Sequence, residues 1–404
     1  MPETSNRETP GTVREGRLRS ANGGIGERLR RSLVTPVSLV VLGSVLLAIL
    51  ELGARHITTS SSDPGLARVV RDFPHLEERL AHGFRFIPND KIGYCLRPDY
   101  RLTVDGQTTT HTSLGVRGPR EVAAKPAGIL HVACIGASTT YGVGVVSDEA
   151  TYPAQLEREL VRSGLGNVRV FNLGVGGYTT REVLLNLERY ADTLSPDVVV
   201  VQCAINDVFP RLHEGFSCDY RHFRRPLQLP RTDMGRTVFY RSYLVLLAGY
   251  ELGFIAPLTL QDRTQAPLPG PERAGRWIDA NGTACYEANL RRIIRSAQAM
   301  GATPVLLTQA YLVHPDFMPS DDASLELENL IRLGLDQHND IVRQLAYRNG
   351  LVLCDIDKEI DRLRRHFTDP IHMTETGNAA KARLARTAVI KAIEVRREGS
   401  ALAR

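Results

Sequence analysis

Residues 131–142 read "HVACIGASTTYG". Val132, Ala133, Cys134 and Ile135 are apolar in succession, with no helical period, as in a strand buried on both faces. The run stops at Gly136, and a small hydroxyl-rich turn follows: Ala137, Ser138, Thr139, Thr140. A turn at the carboxyl end of a parallel strand is where an open α/β sheet presents ligand-binding groups. Such a turn serves either as an ordinary strand-to-helix loop with a Ser or Thr cap or as the mount of a serine nucleophile. The remainder of the chain decides between them.

The same kind of apolar run recurs in "VRVFNLG", "DVVVVQCA", "TPVLLTQA" and "LVLCDI". Helix-like stretches separate the runs near residues 151–163, 179–193, 283–300 and 327–349. Strands rich in Val, Ile and Leu that alternate with helices predict a parallel sheet covered on both faces. Residues 67–127 differ, being rich in Gly, Pro and short alternating runs, and read as small strands and turns packed on the larger body. The alternation is interrupted at 208–282. Residues 242–260 there, "SYLVLLAGYELGFIAPLTL", are apolar enough to suggest a second membrane span. Glu251 in their middle is expensive in hydrocarbon, and a span there would split one sheet across two sides of a membrane. An amphipathic or docked helix is the expectation, with a lid near the site as one role open to it.

At 404 residues the chain is long enough for one large or two modest domains. Its 43% hydrophobic and 24% charged residues are those of an ordinary globular protein. The net charge of +5 comes largely from Arg7, Arg14, Arg17, Arg19, Arg28, Arg30 and Arg31 near the start, and makes no case for nucleic-acid binding. After that basic tail, residues 33–50 contain no charge at all, about the length that spans a bilayer's hydrocarbon core. No small-x-small cleavage site follows closely, so an uncleaved anchor is favoured over a signal peptide. Arginines dominate before the segment and only Arg55 follows closely, which puts the tail in the cytoplasm and the rest outside, periplasmic or extracellular.

Cys134, Cys203 and Cys354 fall in apolar runs read as central strands, where a free thiol behaves as a small hydrophobe. Two of Cys95, Cys218 and Cys285, which lie outside those runs, are free to pair. There is no CxxC and no His/Cys spacing for zinc, so neither a metal nor another cofactor is expected.

Four strand ends carry chemistry. Gly136-Ala137-Ser138 follows the first, "NLGVGGYTT" the second, Ala204-Ile205-Asn206-Asp207 the third, and "FTDPIHMTETGN" comes one turn after the fifth. Together they supply what acyl transfer requires. Ser138 is a weak nucleophile that needs a base. His372 is that base, and Asp369, three residues earlier, orients its imidazole. The backbone N–H groups of Ser138 and Gly177 and the amide of Asn206 are candidate oxyanion donors.

These blocks resemble the SGNH hydrolases, also called GDSL-type esterases and lipases. The block I serine falls on Ser138, the block II glycine on Gly177, the block III asparagine on Asn206, and the block V Asp-x-x-His on Asp369 and His372. The resemblance covers about residues 128–395 and implies a flavodoxin-like α/β/α sandwich with a five-stranded parallel sheet. The region around "TSLGVRGP" also looks like the segment before the catalytic domain in membrane-anchored bacterial members. Ala137 stands where the family usually has Asp, and Ala204 where it usually has Gly; both bear on rate and substrate shape.

The chain is thus expected to divide into a basic cytoplasmic tail (1–31), a transmembrane anchor (32–54), a spacer with a small β-rich segment (55–127, residues 57–66 being the spacer) and a hydrolase domain (128–398) with the insertion 208–282. The leading reading is a membrane-anchored serine esterase acting on acyl or acetyl esters of carbohydrate or lipid. An O-acyltransferase using the same site is the first alternative. A non-catalytic binding module on the same fold is the second. A flavodoxin-like phosphate binder is weakest, since no lysine-bearing P-loop accompanies the glycines.

Overall fold

The computed structural model describes residues 23–61, 63–73, 84–227, 241–255, 260 and 264–402. Most of the basic tail, residues 1–22, and parts of the insertion therefore lie outside the described residues.

Five parallel strands form the central sheet: β5 (Leu130–Gly136), β6 (Val168–Gly174), β7 (Val198–Gln202), β8 (Thr303–Leu307) and β9 (Val352–Cys354), in the order β6-β5-β7-β8-β9. This is a doubly wound, flavodoxin-like order. Alternation along each strand builds two cores. Ala133, Ile135, Val199 and Val201 face one side, against Val183 and Leu187 of α5 (Thr180–Leu194), Leu290 and Ile293 of α9 (Ala284–Ala299) and Val342 of α10 (Asp322–Arg348). Val132, Cys134, Val198 and Val200 face the other, against Leu156 and Leu160 of α4 (Tyr152–Arg162) and Ala385 and Val389 of α12 (Glu375–Leu402). Every residue of β7 is buried. Since burying one Val contributes about 1.5–3 kcal/mol, these apolar runs dominate the sheet's stability.

Short helices connect the strand ends: α3 (Ser138–Tyr141) after β5, α6 (Val208–Arg211) after β7 and α11 (Ile356–Glu359) after β9. The insertion adds α7 (Tyr243–Glu251) and α8 (Pro271–Asn281), and Cys218 pairs with Cys285 at the start of α9. Cys134 lies in β5, but Cys354 ends the edge strand β9 and Cys203 lies one residue past β7; all three are buried. The segment before β5 holds two hairpins, β1 (Phe86–Asn89) with β2 (Gly93–Leu96) and β3 (Arg101–Val104) with β4 (Gln107–Thr110). The second closes on Asp105-Gly106, both at positive φ, the geometry of a two-residue primed turn.

Residues 57–66, read as a short polar spacer, are largely helical: α1 (Gly23–Ser60) continues beyond residue 54 and α2 (Pro64–Asp72) follows. The Thr58 and Thr59 hydroxyls donate to the Arg55 carbonyl, satisfying both polar side chains within the helix. Asp63 then starts α2 by accepting from Gly65 N at 2.7 Å, with Pro64 at the first helical position. Helix α7 is a docked helix, as expected: it is nine residues long and packs against α1 and α2, which is not the placement of a lid. Within α1, Val37–Ser60 is long and apolar enough to cross a membrane, with a mean hydropathy of 2.3.

Candidate active site

The turn after β5 is seated by close backbone approach. A Cβ on Gly174 would lie 2.2 Å from Tyr141 N, so only glycine lets α3 rest on the end of β6. Arg117 Nη1 donates to Tyr141 O at 2.7 Å, and Asn172 Nδ2 donates to the same carbonyl at 3.2 Å. Arg117 is itself held by Asp148 at 3.1 Å, both being nearly buried. Thr140 and Tyr141 donate the first hydrogen bonds of α3, to Ala137 O, so Ser138 N–H at its head is left for another acceptor.

Asp369 and His372 lie on the loop before α12. Asp369 Oδ1 accepts from the N–H groups of Ile371 at 2.9 Å and His372 at 2.8 Å, which winds the Asp-x-x-His segment into a tight turn. The other oxygen, Oδ2, lies 2.6 Å from His372 Nδ1. His372 Nε2 lies 2.8 Å from Ser138 Oγ. A carboxylate acceptor fixes the proton on Nδ1 and leaves the Nε2 lone pair facing the serine hydroxyl, which donates to it. Burial pushes the Asp369 carboxyl up, but the hydrogen bond and charge of His372 and the two backbone N–H groups outweigh it, and the net direction is down.

Loops after β6 and β7 flank that turn, because β5 lies between those two strands. Gly177 has φ +78°, a conformation that favours glycine, and its carbonyl accepts from Arg224 Nη2 at 2.7 Å. Arg224 also pairs with Glu182 at 2.6 Å. Glu182 closes a capping box with Thr179 at the start of α5. Tyr94 of β2 donates to Gly176 O at 2.9 Å, fixing the same loop from the β-rich segment. Asn206 is buried and gives one amide N–H to Tyr178 O at 2.9 Å, which ties the third block to the second and leaves one N–H unused. Its neighbour Asp207 accepts from Thr180 N, Thr180 Oγ1 and Tyr220 OH; burial nevertheless pushes its carboxyl up to about 7.

Sequence reading missed the supporting shell. Arg117, Tyr94, Arg224 and Lys381 reach the site from distant parts of the chain, and only the Thr179-x-x-Glu182 pattern carried a local signal. The Ala204 methyl is buried in a cluster with Val208 and Leu335, and the Ala204 carbonyl accepts from His338 Nδ1 at 2.9 Å. Among the described residues, no group of three His, Cys, Asp or Glu side chains is placed to hold a metal ion.

Residues 134–380 match the model of the GDSL-like lipase/acylhydrolase family. The chain belongs to that family. This GDSL-type protein is accordingly a serine ester hydrolase. No curated protein is significantly similar to it. Solved structures resemble it at a distance. LAE5, an α/β hydrolase from the metagenome of Lake Arreo, Spain, is 20% identical with a TM-score of 0.37, covering 66% of this chain and 95% of its own. The acetyl xylan esterase AlAXEase is 18% identical with a TM-score of 0.36, covering 64% and 100%. A catalytic mutant of Axe2, an acetylxylan esterase from Geobacillus stearothermophilus, is 16% identical with a TM-score of 0.38, covering 67% and 96%. The family match alone carries the assignment.

Proposed function

We propose that this GDSL-type hydrolase is a membrane-anchored esterase that cleaves acyl or acetyl esters of carbohydrate or lipid outside the cytoplasm, with Ser138 as nucleophile, His372 as base and Asp369 as orienting carboxylate. The observation that carries the reading is the unbroken hydrogen-bond chain from Ser138 Oγ through His372 to Asp369, at 2.8 and 2.6 Å. Ser138 Oγ attacks the ester carbonyl carbon while His372 Nε2 takes the hydroxyl proton. The carbonyl π electrons move onto oxygen, where Ser138 N–H, Gly177 N–H and the free Asn206 N–H receive the charge. Collapse of this adduct breaks the bond to the alcohol oxygen, which leaves with the proton from Nε2. Water repeats the sequence on the acyl-serine, releasing the acid and restoring the hydroxyl. Helix α1 supports the anchor, its apolar stretch being only 6% buried by the rest of the protein.

A fluorophosphonate probe tests the assignment. Ser138 should take the label and Thr139 and Thr140 should not, as read by peptide mapping. Replacing His372 by Ala should abolish labelling, and Asp369→Asn should weaken it by favouring the wrong tautomer. A folded protein that stays unlabelled, or is labelled elsewhere, removes Ser138 from its role.

A further inference from the structure

We propose that α7 and the turn after it form a second contact with the bilayer, laying the site-flanking insertion on the membrane surface so that the ester is taken from an amphiphile resident there. The inference rests on the anchored-esterase reading and deepens it. Residues 242–250 carry no charge. One face of α7 is used: Leu246 is buried, and with Ile255 it joins Val69 and Phe73 of the α2 region. Elsewhere on the helix Leu244, Val245 and Leu247 are partly covered among the described residues. In the following turn Leu252 is 68% and Phe254 74% exposed.

The anchor itself indicates what covers this surface. Eighteen uncharged residues, 33–50, extend about 27 Å as a helix, close to the thickness of the hydrocarbon core. Glu51 therefore falls at the outer boundary. Its carboxylate accepts from Ser242 Oγ at 2.6 Å, Tyr243 N at 2.6 Å and Leu244 N at 3.1 Å, fixing the start of α7 at that level. The Arg55 guanidinium sits 5.6 Å from the centre of the Tyr243 ring, and Tyr250 OH donates to Asp63 at 2.9 Å. Tyrosines with one apolar and one polar side suit this depth. A helix whose single charge, Glu251, comes at its end, followed by exposed Leu252 and Phe254 and tied to a spanning helix at the boundary, lies at the lipid interface with Glu251 turned to water. The same segment runs on to the site: a Cβ on Gly177 would lie 3.6 Å from both Leu260 Cδ2 and Gln265 Nε2.

The test uses the full chain reconstituted in vesicles of phosphatidylcholine and phosphatidylglycerol, with an environment-sensitive fluorophore on Phe254→Cys or, separately, Val45→Cys. Brominated lipids should quench both positions, Val45 from the bilayer interior and Phe254 from shallow bromination only. Quenching at Val45 without quenching at Phe254 overturns this inference and leaves the anchor intact; no quenching at either overturns the anchor and the inference with it. In parallel, Leu252→Glu/Phe254→Glu should hydrolyse p-nitrophenyl acetate like the wild type but lose at least tenfold on a long-chain ester embedded in the vesicles. Equal losses on both esters, or none, overturn the inference. Failure of the wild type on every ester refutes the esterase reading, while the quenching result still stands.

Discussion

Asn206 is placed by contacts on either side of it. Tyr178 O takes one of its amide hydrogens at 2.9 Å. Two residues earlier, His338 Nδ1 donates to Ala204 O at 2.9 Å, and Arg211 approaches the other ring nitrogen at 3.1 Å. Burial and the Arg211 charge push the His338 imidazole down to about 3, so it stays neutral and keeps the tautomer that donates to Ala204. The free Asn206 N–H is thus held in one orientation before substrate arrives. An oxyanion donor, the role proposed for Asn206, is worth about a hundredfold to a thousandfold in turnover. Asn206→Ala should lower kcat by that amount with an unchanged circular dichroism spectrum. A loss below about tenfold would return Asn206 to the status of a loop residue.

At the scale of elements, Lys381 joins three that carry the site. It lies in α12, and its buried amine donates to Gln202 Oε1 at the end of β7 and to Thr139 O at 3.3 Å in α3, over the Tyr152 ring. Burial pushes the amine down to about 7. The folded value is depressed from an ordinary 10.5, so between about pH 7 and 10.5 the unfolded chain binds a proton that the native protein does not. This group's contribution to stability therefore rises with pH across that window. Denaturant titrations from pH 7 to 9 should show the wild type gaining stability relative to Lys381→Met, whose difference should be smallest at pH 7; parallel curves would mean that the amine titrates normally. None of this was legible in the sequence. The five strands were, because a strand buried on both faces is a continuous apolar run such as "VVVV", and the Asp-x-x-His segment was, because both residues lie in one turn. Lys381 meets its partners across 179 and 242 residues, and Arg117 meets Tyr141 across 24, contacts with no local signature. A docked helix at α7 was expected from its apolar run, but its partner α1 was not legible, for the same reason.

For the whole molecule, the proposed orientation relative to a membrane rests on two independent features. Residues 33–50 are uncharged, and the arginines crowd the side before them while Arg55 alone follows closely, the kind of bias that in membrane-spanning helices keeps the basic side in the cytoplasm. Far from that segment, Cys218 pairs with Cys285, joining the insertion to α9. Such a bond persists in oxidising compartments and is rare in the cytosol. Both features support the proposed placement of the hydrolase body outside the cytoplasm. A phosphatase that works only outside the cytoplasm, fused after Arg404, should therefore be active, and a fluorescent protein that matures only inside should stay dark. Protein alkylated in intact cells should show Cys218 and Cys285 protected until reduced. Replacing Arg28, Arg30 and Arg31 by Glu should shift part of the population to the inverted orientation, since the charge bias sets the direction of insertion. An active cytoplasmic reporter in the wild-type fusion, with both thiols free, would reverse the orientation and put the ester substrate on the inner side.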